Sequence, residues 1–329
     1  MKTKFLPLAL CGALLSGSLA LTACGRDNQI RVYAPDGAPA LALSALLAAD
    51  TADDGITYTV TSADTITTFV TGQEADVCIL PVNSASILPE MGDTYQMVGL
   101  ATHGNLYLLS AEDKQYTRDN VSQLQGKKIG AIKLNDVPGL TLRATFADLG
   151  LSYVTAASQF TADNVYLYGE NPANMRPTGA ADLYLLPEPQ VSVKLNAFAG
   201  QLFLVGDLQA LYGGEDGYPQ AAVVAKKQFI QAEPEKFAAI LAGLSQAENY
   251  LTTASIAEIC EGVAAHREKG LSANFTQESL TREAILRSNV RFESSLLCRA
   301  KVDAFLQKLS LIDGTKAMPV DDNFYYIED

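Results

Sequence analysis

Few side chains in this chain can move a proton near neutral pH. There are two histidines, His103 and His266. Neither has a Ser or Cys beside it in a nucleophile setting, and the G-x-S-x-G elbow is absent. His266 reads as a solvated residue on a polar helix stretch. His103, in "ATHGN", is expected near a ligand cleft, although a loop histidine without partners is more often inert. The phosphate-cradling patterns G-x-G-x-x-G and G-x-x-x-x-G-K-[ST] do not occur, so nucleotide binding has no local support. Five cysteines stand at 11, 24, 78, 260 and 298 without a C-x-x-C pair, which disfavours zinc and thioredoxin-like sites. Cys78, inside the apolar run "ADVCILP", reads as a core thiol. Cys260 and Cys298 fall in expected C-terminal helices, and a disulfide between them is left open. No metal and no cofactor is expected.

Binding chemistry has better support. In open α/β sheets, ligands sit beyond the carboxyl ends of parallel strands, where helix N-termini offer free N–H groups. Four segments end a strand and begin a helix in that way. "APDGAPA" (34–40) contains Gly37, Ala38 and Pro39. "SADT" (62–65) contains Asp64 and Thr65, and "LPVNSAS" (80–86) contains Asn83 and Ser84. "KLNDVPGLT" (133–141) contains Asn135, Gly139 and Thr141. Any one of these is explained by turn and capping chemistry. Four on one edge are harder to dismiss. Glu188, after the strand "LYLLP", marks a fifth such end, where a carboxylate meets a cationic or hydroxylated group or merely caps a helix. Tyr168 and Tyr218 are candidate cleft aromatics.

The elements that position these residues alternate. "IRVYA" is a strand, and an apolar helix through Ala49 follows Pro39. "ITYTVT" alternates with period two. "DVCILP" does not, as expected of a parallel strand buried on both faces. This βαβαβ order argues for an open parallel sheet. A second series starts at "LQGKKIGAI" and runs through "LYLLP", a helix and "LFLVG" to the loop "LYGGEDGYP". From Glu233 the chain reads as helical, with helices near 255–266, 276–289 and 297–310. The expected organisation is a first lobe of residues 30–110 plus 219–329 and a second lobe of 111–218, joined by two extended crossings, "LYLLSA" and "QAAVVA". The cleft between them is the natural ligand site.

At the amino end, Met1–Lys4 is short and basic and 5–21 is apolar, the order of an export signal, here 1–23. The net charge is −13, or −15 without Lys2 and Lys4. Such a surface repels nucleic acid, so no nucleic-acid partner is expected.

"LTACG" (21–25) resembles a bacterial lipobox. That resemblance implies cleavage before Cys24, diacylation of its sulfur, and a tether of residues 24–29. The segments "VYAPDGAPALALSALL", "TFVTGQEADVCILPVNSASIL", "SQLQGKKIGAIKLNDVPGLTLRATFADLGL", "GAADLYLLPEP" and "YPQAAVVAKKQFIQAEPEKFAAIL" follow in order. Together they resemble the solute-binding lipoproteins of ABC importers, in the branch that includes nitrate, sulfonate, taurine and thiamine-precursor binders. The resemblance spans about residues 24–255. It implies an α/β, two-lobe type II periplasmic-binding-protein fold. Each lobe would be an open, mostly parallel sheet flanked by helices, and the two would join through a two-strand hinge. It further implies a small-molecule ligand, an ABC permease as partner, a membrane-anchored exported location and a monomer. By carry-over, Gly37-Ala38-Pro39, Asn83-Ser84, Gly139-Leu140-Thr141 and Glu188 would line the pocket, and Arg143 is the candidate anion contact. The chain departs from the pattern in having no tryptophan and no evident arginine pair for a sulfonate. Two other readings are a small-molecule synthase or lyase on the same fold and a sensor or adhesin that kept it. The missing iron motif of the fungal pyrimidine synthases counts against the first.

Overall fold

The structure, a computed structural model, describes residues 29–51, 54–214 and 217–327. The leader, Cys24 and all but the last residue of the expected tether lie outside them. Twelve strands form two six-stranded sheets. The first sheet is ordered β12 (Val290–Ser294), β4 (Tyr95–His103), β11 (Pro219–Lys226), β3 (Val77–Pro81), β1 (Ile30–Pro35), β2 (Ile56–Thr61). Here β1, β2 and β3 are mutually parallel, while β11, β4 and β12 alternate antiparallel. The second sheet is ordered β10 (Phe203–Asp207), β5 (Leu106–Ser110), β9 (Leu183–Pro187), β6 (Lys128–Ala131), β8 (Val165–Gly169), β7 (Tyr153–Val154). Its β9, β6, β8 and β7 are parallel, β5 runs against them, and β10, antiparallel to β5, again runs in their direction.

Twelve helices flank these sheets among the described residues: α1 (Ala38–Ala42), α2 (Ser44–Ala49), α3 (Ile66–Thr71), α4 (Val82–Ser86), α5 (Val137–Asp148), α6 (Gln190–Ala197), α7 (Leu208–Tyr212), α8 (Lys227–Ala232), α9 (Pro234–Thr253), α10 (Ile256–Ala265), α11 (Arg282–Arg287) and α12 (Ser295–Ile312). The inner parallel strands β3 and β9 are buried on both faces up to their terminal prolines, as continuous apolar runs require. One face of the first sheet packs on α1, α2, α9 and α10, with Leu41, Val60, Ile79, Phe237, Ile240 and Val263 in that core. A second core starts on the same sheet at Leu80, Met97 and Leu100. It passes through Tyr218 and the α12 residues Phe305, Leu306 and Leu309, and ends among Leu108, Ile129, Leu140 and Phe146 of the second lobe. The Tyr218 and Phe305 rings stack with centroids 5.6 Å apart and planes 16° from parallel. Each large apolar side chain buried this way contributes about 1.5–3 kcal/mol, so α12 ties both lobes from behind.

Three readings of the sequence change. Leu106–Ser110, read as the last strand of the first lobe, pairs with β9 and β10, so the chain leaves the first sheet at Gly104–Asn105. An all-buried apolar run carries no mark of which sheet receives it. The all-helical C-terminal part is interrupted by β12, which edges the first sheet on β4. The helix expected at 276–289 is confined to α11, because Thr281 caps the Ala284 N–H and restarts the chain there.

Candidate functional site

Glycine and amides build the place where the chain changes sheets. A Cβ on Gly104 would stand 2.6 Å from Gln209 Cγ and 2.7 Å from Tyr218 Cε1, so only glycine lets the crossing pass. Gln209 Oε1 accepts from the Leu106 N–H at 3.0 Å and from Tyr218 Oη at 3.1 Å. The two crossings are joined side by side: the Asn105 N–H donates to Gln220 Oε1 at 3.1 Å, and Gln220 Nε2 donates back to Asn105 Oδ1.

Beside this junction lies a cavity of about 170 Å³ between the two sheets. It sits where the carboxyl ends of β1, β3 and β9 converge, and each of those strands ends in a proline: Pro35, Pro81 and Pro187. Three more prolines complete the wall at helix starts: Pro39 in α1 after β1, Pro138 in α5 after β6, and Pro189 just before α6 after β9. The polar lining is Asp36, Thr102, Asn105, Lys133, Asp136, Glu188, Gln190, Gln220 and Asn274.

The first carboxylate, Asp36, is 6% exposed. Its Oδ2 accepts from Arg267 Nε at 3.1 Å and from the Asn274 N–H at 3.0 Å, while its Oδ1 is buried without a partner. Thr102 Oγ1 and Gln190 Oε1 are also buried and unpartnered. Glu188 is fully committed. Its Oε1 accepts from Arg287 Nε at 2.6 Å and from Ser192 Oγ at 3.0 Å, and its Oε2 from the Ser192 N–H at 3.1 Å. Burial pushes the Glu188 carboxyl above the usual range, against the pull of Arg287 and Ser192. Arg287 belongs to the first lobe and Glu188 to the second, so this pair spans the cleft. Lys133 and Asp64 make a second ion pair across it, and Gln190 Nε2 donates to Asn274 Oδ1 at 3.1 Å.

Several solved structures superimpose on this architecture. A protein from Parabacteroides distasonis described as an ABC transporter superimposes with a TM-score of 0.69 at 20% identity, over 92% of this chain and 100% of the other. The periplasmic aliphatic sulphonate binding protein of Escherichia coli gives 0.63 at 15% identity, over 92% and 94%. A Candida albicans gene product exhibiting the generic periplasmic binding protein fold gives 0.55 at 12% identity, over 90% and 93%. The chain has the periplasmic-binding-protein fold. No family model matches the sequence, and no curated protein matches it.

Within this binding-protein fold, Gly37, Ala38, Pro39 and Glu188 line the cavity. Asp64 reaches it only through its ion pair with Lys133. The remaining candidates stand elsewhere. Thr65 is exposed at the start of α3 and shares a hydroxyl contact of 3.3 Å with Thr61. Asn83 is buried and donates to the Lys316 carbonyl at 3.0 Å, because α4 packs on the C-terminal segment; Ser84 beside it does not line the cavity. Asn135 is exposed. Gly139 and Thr141 are buried one turn into α5, and a Cβ at Gly139 would collide with the Leu134 backbone. Among the aromatics, Tyr218 is a core residue, and Tyr168 stacks on Tyr166 at 5.3 Å in β8. Arg143 does not line the cavity.

The two histidines also change place. His103 is fully buried at the end of β4, and burial lowers its pKa to about 3. His266 is not a solvated residue: its Nε2 lies 2.9 Å from Asp50 Oδ2 and its Nδ1 2.7 Å from the Gly262 carbonyl. Cys78, Cys260 and Cys298 are free thiols. Sequence reasoning passed over Asp36, Asn105, Gln220 and Asn274. The prolines at strand ends carried a readable signal for the first, in "APDGAP", and for the neighbourhood of Glu188, in "LPEP".

Proposed function

We propose that the chain is the extracytoplasmic receptor of an ABC importer, a non-catalytic protein that captures one small solute between its lobes and delivers it to the permease. The observation that carries this reading is a cavity of about 170 Å³ at the facing strand ends of two sheets, beside the two crossings that join them. Rotation about Gly104–Asn105 and Tyr218–Pro219 opens and closes such a cleft, and a ligand touching both walls shifts the population toward the closed form. The fold shared with binding components of import systems, including one from Staphylococcus aureus and the sulphonate binder, supports it.

The reading extends to the amino end. Cys24 carries the lipid, residues 24–29 form a tether to β1, and the receptor works as a monomer on the outer face of the membrane. Two acyl chains hold a protein where one would leak. Cys24→Ala, followed by fractionation, should release the chain from membranes; retention of the variant would refute the anchor.

Thermal unfolding against a metabolite library, with mass spectrometry of each mixture, tests the receptor. A ligand at one hundred times its Kd stabilises by about 2.7 kcal/mol. Stabilisation without turnover is the expected result, and product formation would refute the reading.

A further inference from the structure

From the polar groups of the cavity we infer that its solute is a small organic cation bearing N–H donors, an ammonium or amidinium, and not an oxyanion; this rests on the receptor reading above. Three carboxylates, Asp36, Asp136 and Glu188, face one ammonium, Lys133, which is already ion-paired to Asp64. The arginines behind the wall are committed as well, Arg267 to Asp36 and Arg287 to Glu188. An arriving sulfonate or nitrate would therefore meet no uncommitted cation among the described lining residues.

Carboxylates also stand at two of the helix starts that would otherwise favour an anion. Glu188 accepts the first-turn Ser192 N–H of α6, and Asp136 stands as the residue before α5. Proline at the start of α1, α5 and α6 removes further N–H donors from the wall. What the wall does offer is acceptors. Asp36 Oδ1 is buried and unpartnered, and so is Gln190 Oε1. A buried acceptor left unmade is costly, and a ligand N–H satisfies it. No aromatic ring lines the cavity, so recognition runs through N–H groups rather than through the faces that hold quaternary ammonium. The volume, about 170 Å³, lies below the roughly 300–1,000 Å³ of clefts for drug-sized ligands.

The test is binding of n-butylammonium, benzamidinium, tetramethylammonium, methanesulfonate and nitrate to the purified chain, read by thermal shift and ligand-line broadening in NMR. The N–H cations should bind and the other three should not at the same concentration. Asp36→Asn should weaken the N–H cations about tenfold or more, the loss of one charge-assisted hydrogen bond. Asp136→Asn should weaken them severalfold. Asp136 makes no side-chain hydrogen bond at its cap, so this second variant keeps the test open if Asp36→Asn fails to fold. Binding of methanesulfonate or nitrate without the N–H cations would overturn this inference and leave the receptor standing. Equal binding of tetramethylammonium would also overturn it. Failure of every probe and of a metabolite library would overturn both.

Discussion

Replacing Arg287 with methionine should strand a buried charge. In the structure the Glu188 side chain is 0% exposed and Arg287 19%. The pair closes at 2.6 Å, and Arg287 Nη2 reaches Ser192 Oγ at 2.9 Å. Removing one partner of a buried ion pair costs about 3–5 kcal/mol, because the other charge stays behind without water. For a chain near 300 residues, an unfolding entropy of about 2.1 cal/mol/K per residue converts each kcal/mol to about 1.6 °C. The expected fall in Tm at pH 8 is therefore about 5–8 °C.

The pH dependence sharpens this prediction. Burial already raises the Glu188 pKa in the folded state, and losing Arg287 raises it further. A raised folded-state carboxyl binds more protons than its unfolded counterpart between the two pKa values, so stability falls as pH rises through that window. The deficit of Arg287→Met should thus shrink as pH drops from 8 toward 5. The double variant Glu188→Gln/Arg287→Met should recover much of the loss, since the amide needs no counter-ion. Differential scanning calorimetry across pH reads all three. A deficit that does not change with pH, or no recovery in the double variant, would refute the assignment of a buried ionised Glu188.

Three further outcomes follow from the same structure. Phe305→Ala should cost about 3–5 kcal/mol by calorimetry, because its ring packs on both Tyr212 and Tyr218 in the core that spans the lobes; a loss under 1 kcal/mol would show that α12 does not tie the lobes. The His103 imidazole, whose pKa burial lowers to about 3, should keep constant NMR shifts from pH 8 to about 4.5; a midpoint near 6 would contradict its burial. Under native alkylation with peptide mapping, Cys78 and Cys298 should stay unmodified, since both are buried and the Cys298 thiol is pushed up to about 12. Modification of Cys298 before Cys260 would contradict that packing.

Strand–helix alternation makes the two-sheet plan readable in the sequence, because apolar runs such as "DVCILP" suit a strand covered on both faces. The edge of the site was readable for the same reason: turn residues after a strand can lie only at its carboxyl end. What could not be read was depth along each turn. Gly37 and Thr65 each stand just before the helix that follows a parallel strand, yet one lines the cavity and the other is exposed, and no local pattern separates them. Asn274 and Arg267 lie far along the chain from Asp36, and no local pattern links them. Glu188 was visible as a strand-end carboxylate, but its partner Arg287 arrives from a helix about a hundred residues later, so its commitment was not.

The discontinuous first sheet has a consequence for synthesis. Every strand of the second sheet lies within residues 106–207, so all strands of that sheet are present once this stretch has emerged. The earlier-made β4 must wait for β11 and then for β12 at 290–294. During that interval β4 presents open backbone on both sides, and closing so long a loop is slow. The nascent molecule then pairs a closed sheet with a bare, sticky ribbon, which is the form a holding chaperone would grip.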